Sequence, residues 1–258
     1  MKRVVLMGDP HCGHYTGLTP PNWMIAKARS PKARAVEEET WKRYRDLAKE
    51  FNPVDVVVCN GDLIEGKGVR SGGTELLEAD MNKQAEMCVE VLDQWKTKKY
   101  FLTYGTPYHT TSGSGEDMEK LVAQKMDCPI SGHMFVEVDG VVFDCKHKVL
   151  ASQIPWMRHA AVSRERSQNL FWNEMEESQP KADIVVRSHV HYFGYCGGFN
   201  WMGVTLPGLQ GPTKFGARQC SGTIHWGLVV VDVEKGRVVG WEPRVVALKE
   251  MKVEVLKA

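Results

Sequence analysis

Three short segments gather acids and histidines directly after β-branched runs. They are Gly8-Asp9-Pro10-His11-Cys12-Gly13, Asn60-Gly61-Asp62-Leu63-Ile64-Glu65 and Arg187-Ser188-His189-Val190-His191. Carboxylate and neutral imidazole both ligate divalent cations, and a carboxylate can bridge two of them. In a strand or extended turn, residues i and i+2 face the same side, so Asp9 and His11 can grip one ion from a single segment. His189 and His191 can do likewise, on one ion or on two neighbours. Either pair alone fits a turn aspartate or a hydrogen-bonded histidine; several together, each ending an apolar run, point to metal chemistry. The mixed nitrogen and oxygen donors suit Mn, Fe, Co, Ni or Zn better than Ca or Mg, which favour all-oxygen shells.

The elements that must position these residues alternate in the way of βαβ units. Apolar runs at 3–7, 54–59 and 99–104 are predicted strands, and 36–51, 75–95 and 116–126 are predicted helices. The carboxyl ends of such strands converge on one crevice, which is where the acids and histidines fall. Beyond residue 130 the pattern changes to strands with tight turns. Asp139-Gly140 between apolar runs at 136–138 and 141–143 predicts a hairpin, and 224–233 with 237–246 predicts another. A helix over 159–177 interrupts this half. Residues 14–34, with Pro20, Pro21 and Pro31, form a long segment without periodicity and a candidate lid over the site. No repeat or linker divides the chain, so a single domain over 1–258 is expected, with two β-layers sharing a core between outer helices.

The series Asp9-x-His11, Gly61-Asp62, His109, His147 and His189-x-His191 resembles the calcineurin-like metallophosphoesterases, whose signature runs D-x-H, G-D-x-x, G-N-H, H, G-H-x-H. The resemblance spans residues 9 to 191, about 70% of the chain. It implies a four-layer α-β-β-α sandwich, two mixed β-sheets flanked by helices, holding two divalent metal ions at the strand ends. It assigns Asp9, His11, Asp62 and His191 to one ion and Asp62, His147 and His189 to the other, with His109 near the leaving group. Two departures stand out. Gly105-Thr106-Pro107-Tyr108-His109 replaces G-N-H, so the asparagine expected on the second ion has no counterpart and that site is in doubt. Ser188 replaces the glycine of the last motif and leaves both histidines in place.

The implied activity is hydrolysis of phosphate esters, with a phosphodiesterase using a metal-bound hydroxide preferred. A protein or nucleotide phosphomonoesterase and a catalytically weak scaffold of the same fold are the alternatives. Two cations clamp the non-bridging oxygens and lower the pKa of a water, and a protonated His109 donates to the departing alkoxide. Arg158, Arg164, Arg166 and Arg187 flank the ligand histidines, and Lys214 and Arg218 sit in a Gly-rich loop; Arg158 and His159 are the expected substrate contacts.

Composition narrows the partners. Lys plus Arg number 33 and Asp plus Glu 32 among 258 residues, a balance that gives nucleic acid no electrostatic support and leaves a small phosphate ester as the expected substrate. The apolar run of the first strand is too short for a secretory signal, and no stretch approaches a membrane span. The seven cysteines are odd in number and never form a C-x-x-C pair, which suits reduced thiols and a cytoplasmic setting.

Overall fold

The computed structural model describes residues 1–24, 31–110, 115, 117–150, 152, 154–219 and 224–249. In chain order its elements are β1 (Lys2–Met7), α1 (Pro31–Phe51), β2 (Val56–Asn60), α2 (Met81–Leu92), β3 (Tyr100–Thr103), α3 (Pro107–Thr110), α4 (Glu119–Lys125), β4 (Ile130–Ser131), β5 (Met134–Val138) and β6 (Val141–Cys145). They continue with α5 (Ala160–Glu174), β7 (Ile184–Arg187), β8 (Gly194–Gly198), β9 (Trp201–Thr205), α6 (Lys214–Gln219), β10 (Trp226–Glu234) and β11 (Arg237–Val246).

Two mixed sheets result. The first has the order β11-β10-β1-β2-β3-β4 and the second β5-β6-β7-β9-β8. β1 to β4 run parallel, while β10 is antiparallel to β1; in the second sheet β6, β7 and β9 are parallel and each edge strand is antiparallel to its neighbour. β1 shows why its sequence is apolar throughout. Val4 and Leu6 face the second sheet, packing with Val58, Phe143, Ile184 and Val204, while Val5 and Met7 face Tyr44 of α1 and Cys88 of α2. A strand covered on both faces carries no polar alternation. α5 covers the far side of the second sheet through Val162, against Val185. The four-layer α-β-β-α sandwich expected from the resemblance is thus the architecture observed.

Both predicted hairpins form. Asp139 (φ 50°) and Gly140 (φ 83°) turn β5 into β6, and Lys235 with Gly236 turns β10 into β11; paired positive φ values match the right-handed strand twist. Two expectations need correction, and one pair of strands is new. The helix expected over 75–95 begins only at Met81, where Asp80 caps it by accepting the Asn82 N–H at 2.9 Å. The residues before it are drawn into the loop after β1, with the Leu77 N–H donating to Gly13 O at 2.7 Å and the Tyr15 N–H to Glu75 O at 2.9 Å. Lys214 and Arg218 lie in a short helix, α6, not in a loop. The antiparallel pair β8 and β9 was not anticipated, because four glycines among its ten strand residues hide the alternation. Of the candidate lid, residues 25–30 lie outside the described residues, as does Cys220. Among the described residues, no helix is long and apolar enough to cross a membrane.

Candidate metal centre

The site is assembled where five strands of the two sheets end. Asp9 and His11 follow β1, Asp62 follows β2, Thr106 and His109 follow β3, His147 follows β6, and His189 and His191 follow β7. The loops after β1 and β2 stay zipped beyond the strands: N–H groups of Asp9, His11 and Cys12 donate to the carbonyls of Gly61, Asp62 and Leu63, each at 3.0 Å. Buried Asn60 ties the two sheets beneath the site. Its Nδ2 donates to Lys146 O at 3.0 Å and Ser188 Oγ at 2.9 Å, and its Oδ1 accepts from Thr103 Oγ1 at 2.9 Å.

The backbone is bent to aim these groups. Among the described residues nine non-glycine residues have positive φ, and five are Asp9 (55°), His11 (42°), Asp62 (50°), His189 (72°) and His191 (50°). Left-handed residues cost about 1–3 kcal/mol each and persist where the surroundings over-determine them, notably at functional sites. The shared direction of Asp9 with His11, and of His189 with His191, therefore comes from tight left-handed turns and not from the pleat of a strand. Two glycines are required by close approach. A Cβ on Gly105 would lie 2.2 Å from Asp62 Oδ1, and one on Gly61 would lie 2.6 Å from the His147 ring.

The structure brings all six expected metal ligands together. Three overlapping groups have donor atoms within 4.8 Å of one another: Asp9, His11 and His191; His11, Asp62 and His109; and Asp62, His147 and His189. Asp62 Oδ2 links them, 3.0 Å from His147 Nε2 and 3.7 Å from His11 Nε2. The rings are oriented from behind. His11 Nδ1 faces Glu65 Oε2 at 2.9 Å and His147 Nδ1 faces Asn60 O at 2.7 Å, so each Nε2 is turned into the cluster. This is how imidazole is presented to a cation.

Two observations test whether a cation fits. Asp9 Oδ1 and His11 Nε2 are buried and have no hydrogen-bond partner, although a carboxylate and an imidazole with 0% and 2% residue exposure cost free energy unless paired. The second is Thr106. Its Oγ1 lies 3.3 Å from Asp62 Oδ2, 3.3 Å from His147 Nε2 and 3.2 Å from His189 Nδ1. Donors about 2.0–2.1 Å from a tetrahedral ion are about 3.3–3.4 Å apart. The hydroxyl thus has the spacing that a fourth donor to such an ion would have, on the loop where the asparagine was missed, and Thr-Pro-Tyr gives no hint of it because it reads as turn chemistry. Glu65 was also missed, since its role depends on the facing loop.

The charges respond to this crowding. Burial favours the neutral ring of His147, yet the Asp62 carboxylate lifts it to about 10. Burial, with His147 nearby, pushes His189 down to about 4. Burial works against ionised Asp62, but His147 holds its carboxyl well below the usual range. Protons thus balance the carboxylates where cations would, and metal binding must displace them.

The expected cationic contacts divide. The Arg158 guanidinium lies over the Tyr192 ring at 4.9 Å, next to His191, and exposed His159 sits against Gly194. Arg187 and Arg166 are buried and structurally engaged: Arg187 pairs with Asp144 and Glu165, and Arg166 donates to Ala182 O. Of the four arginines flanking the ligand histidines, these two are thus taken up by the fold. His133 pairs with Asp144 at 2.7 Å, and His225 Nδ1 accepts from the Phe193 N–H at 3.0 Å.

Neither a protein-family profile nor a curated protein sequence matches the chain. Solved structures similar to it include an archaeal phosphodiesterase, at 11% identity and TM-score 0.48, covering 95% of this chain and 99% of that one. Vps29 from Entamoeba histolytica, complexed with zinc, has 12% identity and TM-score 0.47, with 95% and 98% covered. The phosphoesterase YfcE from E. coli has 11% identity and TM-score 0.44, with 93% and 98% covered.

Proposed function

We propose that the chain is a divalent-metal-dependent phosphoesterase acting on diesters, with two cations held by Asp9, His11, Asp62 and His191 on one side and by Asp62, His147, His189 and the Thr106 hydroxyl on the other. The observation that carries this reading is the cluster of buried carboxylate and imidazole donors within 4.8 Å of one another, in which Asp9 Oδ1 and His11 Nε2 make no hydrogen bond. When bound, such cations supply positive charge to phosphoryl oxygens and lower the pKa of an attacking water. The mixed donors favour Mn, Fe, Co, Ni or Zn.

The chain's own groups supply the rest. His109 Nδ1 faces the Glu65 carbonyl at 3.1 Å, so Nε2 is the ring atom left to hold or move a proton at the leaving group. The His109 and His11 rings meet edge to face at 4.7 Å, which holds His109 against a residue that would ligate the first ion. Glu65 fixes the His11 tautomer, and Asp62 answers the charge on both sides. Arg158 lies over Tyr192, the residue that follows His191, and is assigned to substrate, with His159 next to it in sequence. Free buried thiols at Cys12, Cys59, Cys88 and Cys145 suit a reducing compartment such as the cytoplasm.

The test compares bis-p-nitrophenyl phosphate with p-nitrophenyl phosphate on protein reconstituted with Mn²⁺. Faster diester cleavage is expected. Faster monoester cleavage would replace the reading with a phosphatase, and turnover of neither by metal-loaded protein would replace it with a scaffold.

A further inference from the structure

Beside the centre lies an arginine that the reaction described above does not use. The short helical turn Val69–Ser71 follows Glu65 closely and is set between Gly68 and Gly72, both in the left-handed region. Its loop is pinned rather than free. The Gly66 N–H donates to Gln84 Oε1 at 2.7 Å, and Gln84 Nε2 donates back to Gly66 O at 2.8 Å; Gly73 N–H and Ser71 N–H both donate to Gly68 O. From this turn the Arg70 guanidinium lies 4.5 Å over the Tyr108 ring and 4.9 Å over the Phe215 ring. Tyr108 in turn lies 4.4 Å from the His109 ring. Arg70 is thus joined to the centre by one aromatic step, although Phe215 comes from α6, more than a hundred residues further on.

Arg70 is exposed, and no carboxylate pairs with it among the described residues. Two rings lie against it in cation–π contact. What remains available is the edge of the guanidinium, a planar fork of N–H donors whose geometry matches the paired oxygens of phosphate. The rings also restrict its rotamers before any ligand arrives, which lowers the ordering cost of binding. A base or other flat apolar group finds the ring faces toward Arg70 already covered, so an anion is favoured over a stacked aromatic.

We infer that Arg70, held against Tyr108 and Phe215, binds a second phosphate of the substrate, one that is not cleaved, and so selects phosphate esters carrying an additional phosphoryl group. The inference rests on the phosphoesterase reading for the meaning of "substrate", but its test does not depend on turnover. Affinities of adenosine 5′-monophosphate and adenosine 3′,5′-bisphosphate, which differ by one phosphate, are measured by calorimetry on Mn²⁺-loaded wild type, Arg70→Lys and Arg70→Ala. Bound manganese and the thermal midpoint report that each variant keeps its fold and centre.

The wild type is expected to bind the bisphosphate about tenfold or more tightly than the monophosphate, the size of a charge-assisted contact. Arg70→Ala is expected to abolish that preference, and Arg70→Lys, a point charge without the fork, to retain only part of it. Equal affinities in the wild type, or a preference that survives in Arg70→Ala, would overturn the assignment. A preference lost with Arg70 in a protein that cleaves no ester would uphold the anion site while refuting the reaction.

Discussion

Two clusters of buried charge sit at the ends of β6 and β7, a few residues apart, and they are built on opposite terms. In the first, Asp144 and Arg187 answer each other completely. Arg187 Nη1 donates to Asp144 Oδ1, Asp144 O and Val186 O, each at 2.9 Å, while Nη2 reaches Asp144 Oδ2 and Nε reaches Glu165, both at 3.1 Å. In the second, His147 and His189 face Asp9 and Asp62, and Asp9 Oδ1 and His11 Nε2 are left without a hydrogen bond, although His191 Nε2 lies 3.1 Å from that oxygen. A self-satisfied cluster needs nothing further and fastens adjacent strands. An incomplete one, lined by metal-ligand types on bent backbone, has the donors that a cation would complete.

The largest difference should appear in stability. Asp144→Ala leaves the Arg187 charge buried without its main partner and should cost about 3–5 kcal/mol, with or without metal, as read from denaturant unfolding. The sign with pH follows. Burial opposes the Asp144 carboxylate, but His133 and Arg187 hold its pKa below 3.8. The pair's contribution is therefore fully present above about pH 4 and is lost as pH falls through the lower folded value; Asp144→Ala should flatten that part of the acid limb.

The centre should behave in the reverse manner. Asp9→Asn removes a buried carboxylate that is only partly answered, by the His189 N–H at 3.3 Å and the His191 ring at 3.1 Å, so the metal-free protein should lose about 1 kcal/mol. Its deficit should appear with the cation. Wild type gains about 2.7 kcal/mol when free metal is a hundred times its dissociation constant, a gain the variant should largely forgo, and hydrolysis should fall about a hundredfold to a thousandfold. A variant that destabilised the metal-free protein as strongly as Asp144→Ala would remove the distinction between the clusters.

A smaller effect separates the ligands from their supports. Glu65→Gln keeps the size of the side chain but weakens the grip on His11 Nδ1, and should lower metal affinity about tenfold to a hundredfold, measured by competition with a chelator. Unchanged affinity would show that the zipped loops alone hold the ring.

How much of this was written in the sequence depends on how far apart the partners lie. The Val-rich runs, the Asp-Gly turn and the acids after strands are local signals, and the sandwich follows from them. Arg187 read only as a cation flanking the ligand histidines, because Asp144, which occupies it, lies 43 residues away. Glu65 was visible in its motif but had no role until the loop after β1 lay beside it. Residues 75–77 carry a helical pattern that tertiary hydrogen bonds to Gly13 and Tyr15 override. Arg70 became notable only once Tyr108 and Phe215 closed on it.

The smallest expected effect concerns Thr106, and it decides what kind of second site this is. A hydroxyl is a neutral and weak donor beside a carboxylate and two imidazoles, so its loss should cost only about 1 kcal/mol of binding, a few-fold to tenfold in affinity. Thr106→Val preserves the shape and the backbone N–H that donates to Asp62 Oδ1 at 2.5 Å, and removes only the oxygen. Titration with Mn²⁺ should then show the weaker of two sites weakened further while the stronger is unmoved. Thr106→Asn, which returns a carbonyl oxygen to the same loop, should tighten that weaker site. If Thr106→Val leaves both sites as they were, the hydroxyl is a hydrogen-bonding neighbour of His189 and Asp62, and the second ion rests on three donors.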